Sequence, residues 1–151
     1  MRLHKLIVTV CGLVYAPKAP GTFGTLGAVL LFSLSYFLQL EISLTQLIIL
    51  IIISAGVGVY STNKIIGEWG DDPSRVVIDE FVGYLITMIL IPLNMTNIIL
   101  GFLLFRFFDI LKPLGIGIID QKVKGGLGVM LDDVLAGIYA CLILHLINYF
   151  I

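Results

Sequence analysis

Long apolar runs alternate with short, dense polar knots along this chain, a rhythm that predicts helices rather than strands. Five runs approach the ~20 apolar residues that a membrane-crossing helix needs. They cover residues 25–40, 44–60, 76–93, 97–114 and 134–151. An earlier run, 6–15, is too short to cross and is expected to lie at the interface or pack on the bundle. The third and fourth runs join through Ile91-Pro92-Leu93-Asn94, where Pro92 lacks an amide donor and Asn94 favours a turn. That join predicts a tight hairpin, with a re-entrant pair as the alternative because the uncharged stretches are short. The expected fold is an all-α integral membrane bundle of about five membrane helices, some short or re-entrant, plus a short N-terminal helix. It forms one membrane-embedded domain over 1–151.

Composition sharpens this picture. Hydrophobic residues make up 59% of the 151 and charged residues 13%. Soluble domains sit near ~45–50% and ~25%. Mean hydropathy is +1.10. Such a chain lacks the polar surface to live in water. The net charge of -1, with no basic run, gives no nucleic-acid footprint. The composition leaves room for an oligomer.

Charge placement orients the bundle. With five crossings, all nine Lys and Arg fall on one side, and so do nine of the ten acids. Glu41 alone falls on the other. Basic residues favour the cytoplasmic side, so the polar chemistry is expected on the cytoplasmic face of the membrane. Arg2, Lys5 and the run that follows imitate a signal peptide. Cleavage is not expected, because the run leads straight into a motif that the protein would need. Cys11 is not a lipoprotein site, because Val10 is too large. Cys11 and Cys141 read as small buried hydrophobes.

Four polar knots carry candidate chemistry. The first, Ala16-Pro17-Lys18-Ala19-Pro20-Gly21-Thr22-Phe23-Gly24-Thr25, predicts an irregular turn opening into a helix. Thr22 and Thr25 would cap that helix or meet a phosphate oxygen. The second, Asp79-Glu80-Phe81-Val82-Gly83, runs acids into an apolar helix, where charge is costly. Gly83 follows on the same face and permits close helix contact. The third, Arg106-Phe107-Phe108-Asp109-Ile110-Leu111-Lys112-Pro113, places Arg106, Asp109 and Lys112 three apart on one helix face. Its plainer reading is a stapled helix end. The fourth runs from Lys122 and Lys124 through Gly125-Gly126-Leu127-Gly128, read as a flexible loop, to Asp132, Asp133 and Gly137. The repeated order of acid pair, glycine and apolar helix predicts two closely packed helices with converging carboxylates.

Asp79, Glu80, Asp109, Asp132 and Asp133 would then meet at one site. Left bare they would repel each other and any anionic substrate. A hard divalent cation removes both problems, and oxygen-only ligands favour Mg²⁺ or Ca²⁺. Some of the five would act from outside the ligand set.

In order and spacing these motifs closely resemble the phosphatidylglycerophosphatase A family along nearly the whole chain. The resemblance rests on Pro20-Gly21-Thr22 with Gly24-Thr25, Val77 with Asp79-Glu80-Phe81 and Gly83, Phe105-Arg106 with Asp109 and Lys112-Pro113, and Gly125-Gly126 with Gly128, Met130, Asp132-Asp133 and Ala136-Gly137. It implies an all-α, Mg²⁺-dependent hydrolase that takes the terminal phosphate from phosphatidylglycerophosphate, an anionic phospholipid of the bilayer. It implies catalytic roles for Asp79, Glu80, Asp109 and Asp133, and a metal set drawn from these and Asp132. Thr22, Thr25, Arg106, Lys112, Lys124, Gly125 and Gly126 would hold phosphate. Thr25 stands where serine is common, and Leu114-Gly115 replaces an aromatic-proline pair.

A covalent aspartyl-phosphate on Asp79 or Asp109 stays open as a route, while the remaining phosphatase chemistries lack their residues. His4 and His145 are the only histidines, no Cys precedes a phosphate loop, and no Asp-x-Asp nucleophile motif occurs. The CDP-alcohol phosphotransferase aspartate spacing is absent too. A membrane ion or proton transporter, or a non-catalytic subunit using the same acids, is the competing expectation.

Overall fold

The computed structural model describes residues 2–10, 20–69, 75–113 and 115–150. Among them the chain is all helical: α1 (Arg2–Val8), α2 (Pro20–Phe37), α3 (Leu44–Trp69), α4 (Ile78–Thr87), α5 (Met95–Leu111), α6 (Ile116–Lys122) and α7 (Gly125–Phe150). α2 begins with Pro20, whose fixed φ suits a first helical position. α3 starts with a reciprocal cap. The Gln46 N–H donates to Ser43 Oγ at 3.2 Å, and the Ser43 N–H donates to Gln46 Oε1 at 2.9 Å. α5 starts at Asn94, whose side chain accepts the Asn97 N–H at 2.8 Å. It ends at Lys112, in a left-handed conformation with φ 45°.

The third apolar run is not a crossing. Its helix, α4, has ten residues and stops in a turn where Leu90 takes φ 57°, just before Ile91-Pro92. Ten residues rise only ~15 Å, half the ~30 Å of a hydrocarbon core. α4 instead stands at the centre, packed by α2, α3, α5 and α7, with eight of its ten residues buried. A reciprocal amide pair ties the turn region to the far end of α7. Asn97 Nδ2 donates to Asn148 Oδ1 at 2.9 Å and to the Pro92 carbonyl at 2.9 Å, and Asn148 Nδ2 donates back to Asn97 Oδ1 at 3.1 Å.

Five full-length spans are therefore not found among the described residues. Two helical stretches are long and apolar enough to cross a membrane, Leu44–Gly67 and Gly125–Phe150. α3 presents Ile48, Ile49, Ile52, Ile53 and Val57 outward, and α7 presents Leu142, Ile143 and Leu146. Two polar knots predicted as irregular are helical. Residues 20–25 form the first turns of α2, and Gly125–Gly128 open α7 rather than forming a flexible loop. Residues 16–19 of the first knot lie outside the described residues. The early apolar run gives α1, which packs on α3 with Val8 fully buried; the Val8 carbonyl accepts the Val77 N–H at 2.8 Å, just ahead of α4. Cys141 is half-buried, and Cys11 is not described.

Candidate metal centre

Close packing of α4 on α7 builds the site. A Cβ placed on Gly137 would lie 2.3 Å from the Gly83 carbonyl oxygen, and one on Gly83 would lie 2.7 Å from that of Asp133. The two helices thus touch backbone to backbone. Asp79 and Asp133 each sit four residues ahead of their glycine, so both carboxylates emerge at the same end of the contact. Glu80 joins them. Asp79, Glu80 and Asp133 offer ligand oxygens that all lie within 4.8 Å of one another. Asp79 and Asp133 are buried, at 8% and 3% exposure.

Such a trio is unstable by itself. Two like charges ~4 Å apart repel by ~4 kcal/mol at an effective dielectric near ~20, more than one hydrogen bond returns. Burial pushes the Asp79 carboxyl well above the usual range, helped by the charges of Glu80, Asp133 and Asp132. Burial likewise raises Glu80, with Asp109 adding to the rise and Arg106 opposing it. Buried oxygens Asp79 Oδ1 and Glu80 Oε2 have no hydrogen-bond partner. Buried polar atoms are seldom left so. Anionic, oxygen-only and unsatisfied, the site fits a hard divalent cation.

Cationic side chains flank the trio. Arg106, on α5, pairs closely with Asp109 one turn on, and its Nη1 stands 4.0 Å from Glu80 Oε1. Asp109 also touches Asp133. Lys112 Nζ donates to Asp132 Oδ2 at 2.6 Å. Of the five acids expected to converge, three form the tight group. Asp109 joins its edge, and Asp132 is directed to Lys112.

The predicted phosphate set is less compact. Gly21 lies directly against Glu80 and Arg106. Thr22 is half-buried beside it. Thr25 is fully buried and donates its hydroxyl to the Gly21 carbonyl at 3.1 Å, so it does not cap α2. The Gly126 N–H donates to Asn63 Oδ1 at 2.8 Å, and a Cβ there would strike the Val59 carbonyl. Gly126 is thus a packing contact with α3 whose N–H is already engaged. Gly125 holds the positive φ of 79° that starts α7. Lys124 is exposed. Sequence reasoning missed Asn63, which sits among Ser61, Thr62 and Lys64 in the polar part of α3 with nothing to single it out.

Fold and site together define, among the described residues, an all-α protein with an outward apolar surface and a buried cluster of carboxylates. Compared with known proteins, the chain matches the family model of phosphatidylglycerophosphatase A over residues 6–148, and it belongs to that family. It is therefore a phosphatase of phosphoric monoesters. The phosphatidylglycerophosphatase A of Haemophilus influenzae is 42% identical over 91% of this chain and 83% of its own length. That of Escherichia coli K12 is 35% identical over 89% and 77%. A Bacteroides thetaiotaomicron protein provisionally named a phosphatidylinositol-3-phosphatase is 40% identical over 99% and 96%. No solved structure matches the chain. Two apolar helices and bacterial relatives of this family suggest a membrane protein.

Proposed function

We propose that this protein hydrolyses the terminal phosphate of phosphatidylglycerophosphate to give phosphatidylglycerol and inorganic phosphate, in phospholipid biosynthesis. We place the reaction at the cytoplasmic face of a bacterial inner membrane. The observation that carries the reading is the buried trio Asp79, Glu80 and Asp133, with unsatisfied oxygens and with Arg106 alongside. These three residues would hold Mg²⁺, with Asp109 and Asp132 acting from just outside. When bound, Mg²⁺ supplies positive charge against the carboxylates and the phosphate, and Lewis acidity at a phosphoryl oxygen.

The chain's own residues do the rest. Arg106 offers a planar fork that suits two phosphate oxygens. Lys112 adds a point charge. Both are held by carboxylates, Asp109 and Asp132, so substrate binding exchanges carboxylate oxygens for phosphate oxygens. That exchange releases Asp109 from Arg106, beside Asp133, where it serves as general base toward the attacking water. The water oxygen bonds to phosphorus as the phosphorus–oxygen bond to the glycerol headgroup breaks, and the leaving oxygen takes up the proton that Asp109 removed from the water. Thr22, Gly125 and Lys124 line the approach for the phosphate. The lipid tails stay along the apolar outer surface while the headgroup enters from the side.

The test is phosphate release by the purified protein in detergent with Mg²⁺. Its arms are phosphatidylglycerophosphate, phosphatidylinositol 3-phosphate and soluble glycerol phosphate. Phosphatidylglycerophosphate should be the best substrate, chelation should stop turnover, and Asp79→Asn should lower kcat by at least ~10²-fold. Preference for the inositol lipid, the substrate in the Bacteroides relative's name, would move the assignment to that headgroup. No release from any arm would return the acids to a transport or assembly role.

A further inference from the structure

The first turn of α2 lies against the acidic trio, and the contact is made by a residue with no side chain. A Cβ on Gly21 would lie 2.1 Å from Glu80 Oε1 and 3.2 Å from Arg106 Nη1. Glu80 therefore has two differently employed oxygens. Oε1 is seated between the α2 backbone and Arg106, while Oε2 is buried and unpartnered. Resting on the cation reading proposed above, we infer that Gly21 is a positioning residue for the metal centre. Its bare Cα seats Glu80 Oε1 and thereby presents Oε2, a single oxygen, toward the cation.

Four other tight glycines differ in kind, whereas Gly58 meets the flexible Met130 side chain. At Gly24, Gly83, Gly126 and Gly137 an added Cβ would meet a backbone carbonyl oxygen at 2.3 to 2.7 Å, so whole helices would have to part. At Gly21 it would meet the far end of a flexible side chain. A carboxylate can swing aside at little cost to the fold, and Ala is a better helix former than Gly. Gly21→Ala should therefore leave the protein folded and move only the ligand. A merely structural glycine would show the opposite balance.

The experiment is Mn²⁺ binding, read as free Mn²⁺ by electron paramagnetic resonance, on purified full-length protein in detergent, with thermal unfolding followed alongside. Wild type, Asp79→Asn, Gly21→Ala, Glu80→Asp and the Gly21→Ala/Glu80→Asp double variant are compared. Gly21→Ala should weaken Mn²⁺ binding by ~10- to 100-fold, the range seen when residues that orient metal ligands are altered. Glu80→Asp alone should also weaken it. In the double variant the shorter side chain clears the new methyl, so its loss should be smaller than the product of the two single losses. If Asp79→Asn binds Mn²⁺ as wild type does, the metal reading falls and this inference falls with it. If Asp79→Asn abolishes binding but Gly21→Ala does not alter it, the metal centre stands and the role of Gly21 is refuted. Strictly multiplicative losses refute it as well. Should Gly21→Ala fail to fold, the double variant must fold and bind; its failure would equally overturn the inference.

Discussion

Gly137→Ala is the sharpest test of how packing makes the site. The added methyl would lie 2.3 Å from the Gly83 carbonyl oxygen, 3.0 Å from its carbon and 3.1 Å from Gly83 Cα. All three are backbone atoms, so no side chain can yield. Ordinary contact begins near 3.4 Å, so α4 and α7 must separate locally by about 1 Å. Overpacking of this kind costs ~1–3 kcal/mol, and the better helix propensity of Ala offsets up to ~1 kcal/mol of it. The functional cost is larger. Asp79 and Asp133 lie one turn from the contact on opposite helices, so the separation opens the trio directly. A misplacement of ~1 Å can cost ~10²-fold in rate. The assay is kcat for phosphate release beside the thermal midpoint, with Gly56→Ala as control, because a Cβ on Gly56 meets nothing within 4 Å. The expected result is a kcat loss near ~10²-fold with helicity kept, while Gly56→Ala stays near wild type. Wild-type turnover in Gly137→Ala would refute the claim that backbone contact between these helices sets the carboxylate geometry.

Three further outcomes follow from the same structure. Asp79 and Glu80 have folded-state carboxyls raised by burial, so in chelator their contribution to stability is greatest below the ordinary carboxylate range and is lost as pH rises through the raised values. Thermal midpoints should fall with rising pH in chelator and recover with Mg²⁺, and a pH-independent midpoint in chelator would contradict this. Arg106→Lys should lower kcat/KM by ~10-fold or more, because a single ammonium cannot reproduce the fork; Lys122→Ala, at an exposed position, should change it little, and the reverse order would misplace the phosphate clamp. Asn97→Ala should destabilise the protein by ~1–3 kcal/mol by removing the Asn148 and Pro92 bonds, measured by denaturation in detergent, with an unchanged midpoint counting against the pinned turn.

Some of the site is legible in the linear pattern because its causes are local. An acid four residues ahead of a glycine, at Asp79 with Gly83 and at Asp133 with Gly137, places both on one helix face whatever surrounds them. The apolar runs likewise announce helices, and Pro92 with Asn94 announces the turn. Partner choice is not local. Asp132 and Asp133 are neighbours in the chain, yet ~100° of helical rotation sends one to Lys112 and the other to Asp79. The engagement of Gly126 by Asn63 spans 63 positions and has no sequence signal.

By itself the sequence determined that the chain is helical, apolar outside and acidic at a few points, because periodicity and composition act residue by residue. Only the tertiary structure decided that α4 is a short central helix rather than a crossing. Lipid and protein interior are both apolar, so the run at 76–93 reads the same for either environment. What separates them is which neighbours cover it, and here α2, α3, α5 and α7 enclose it and bring Glu80, Asp133 and Gly21 to one point.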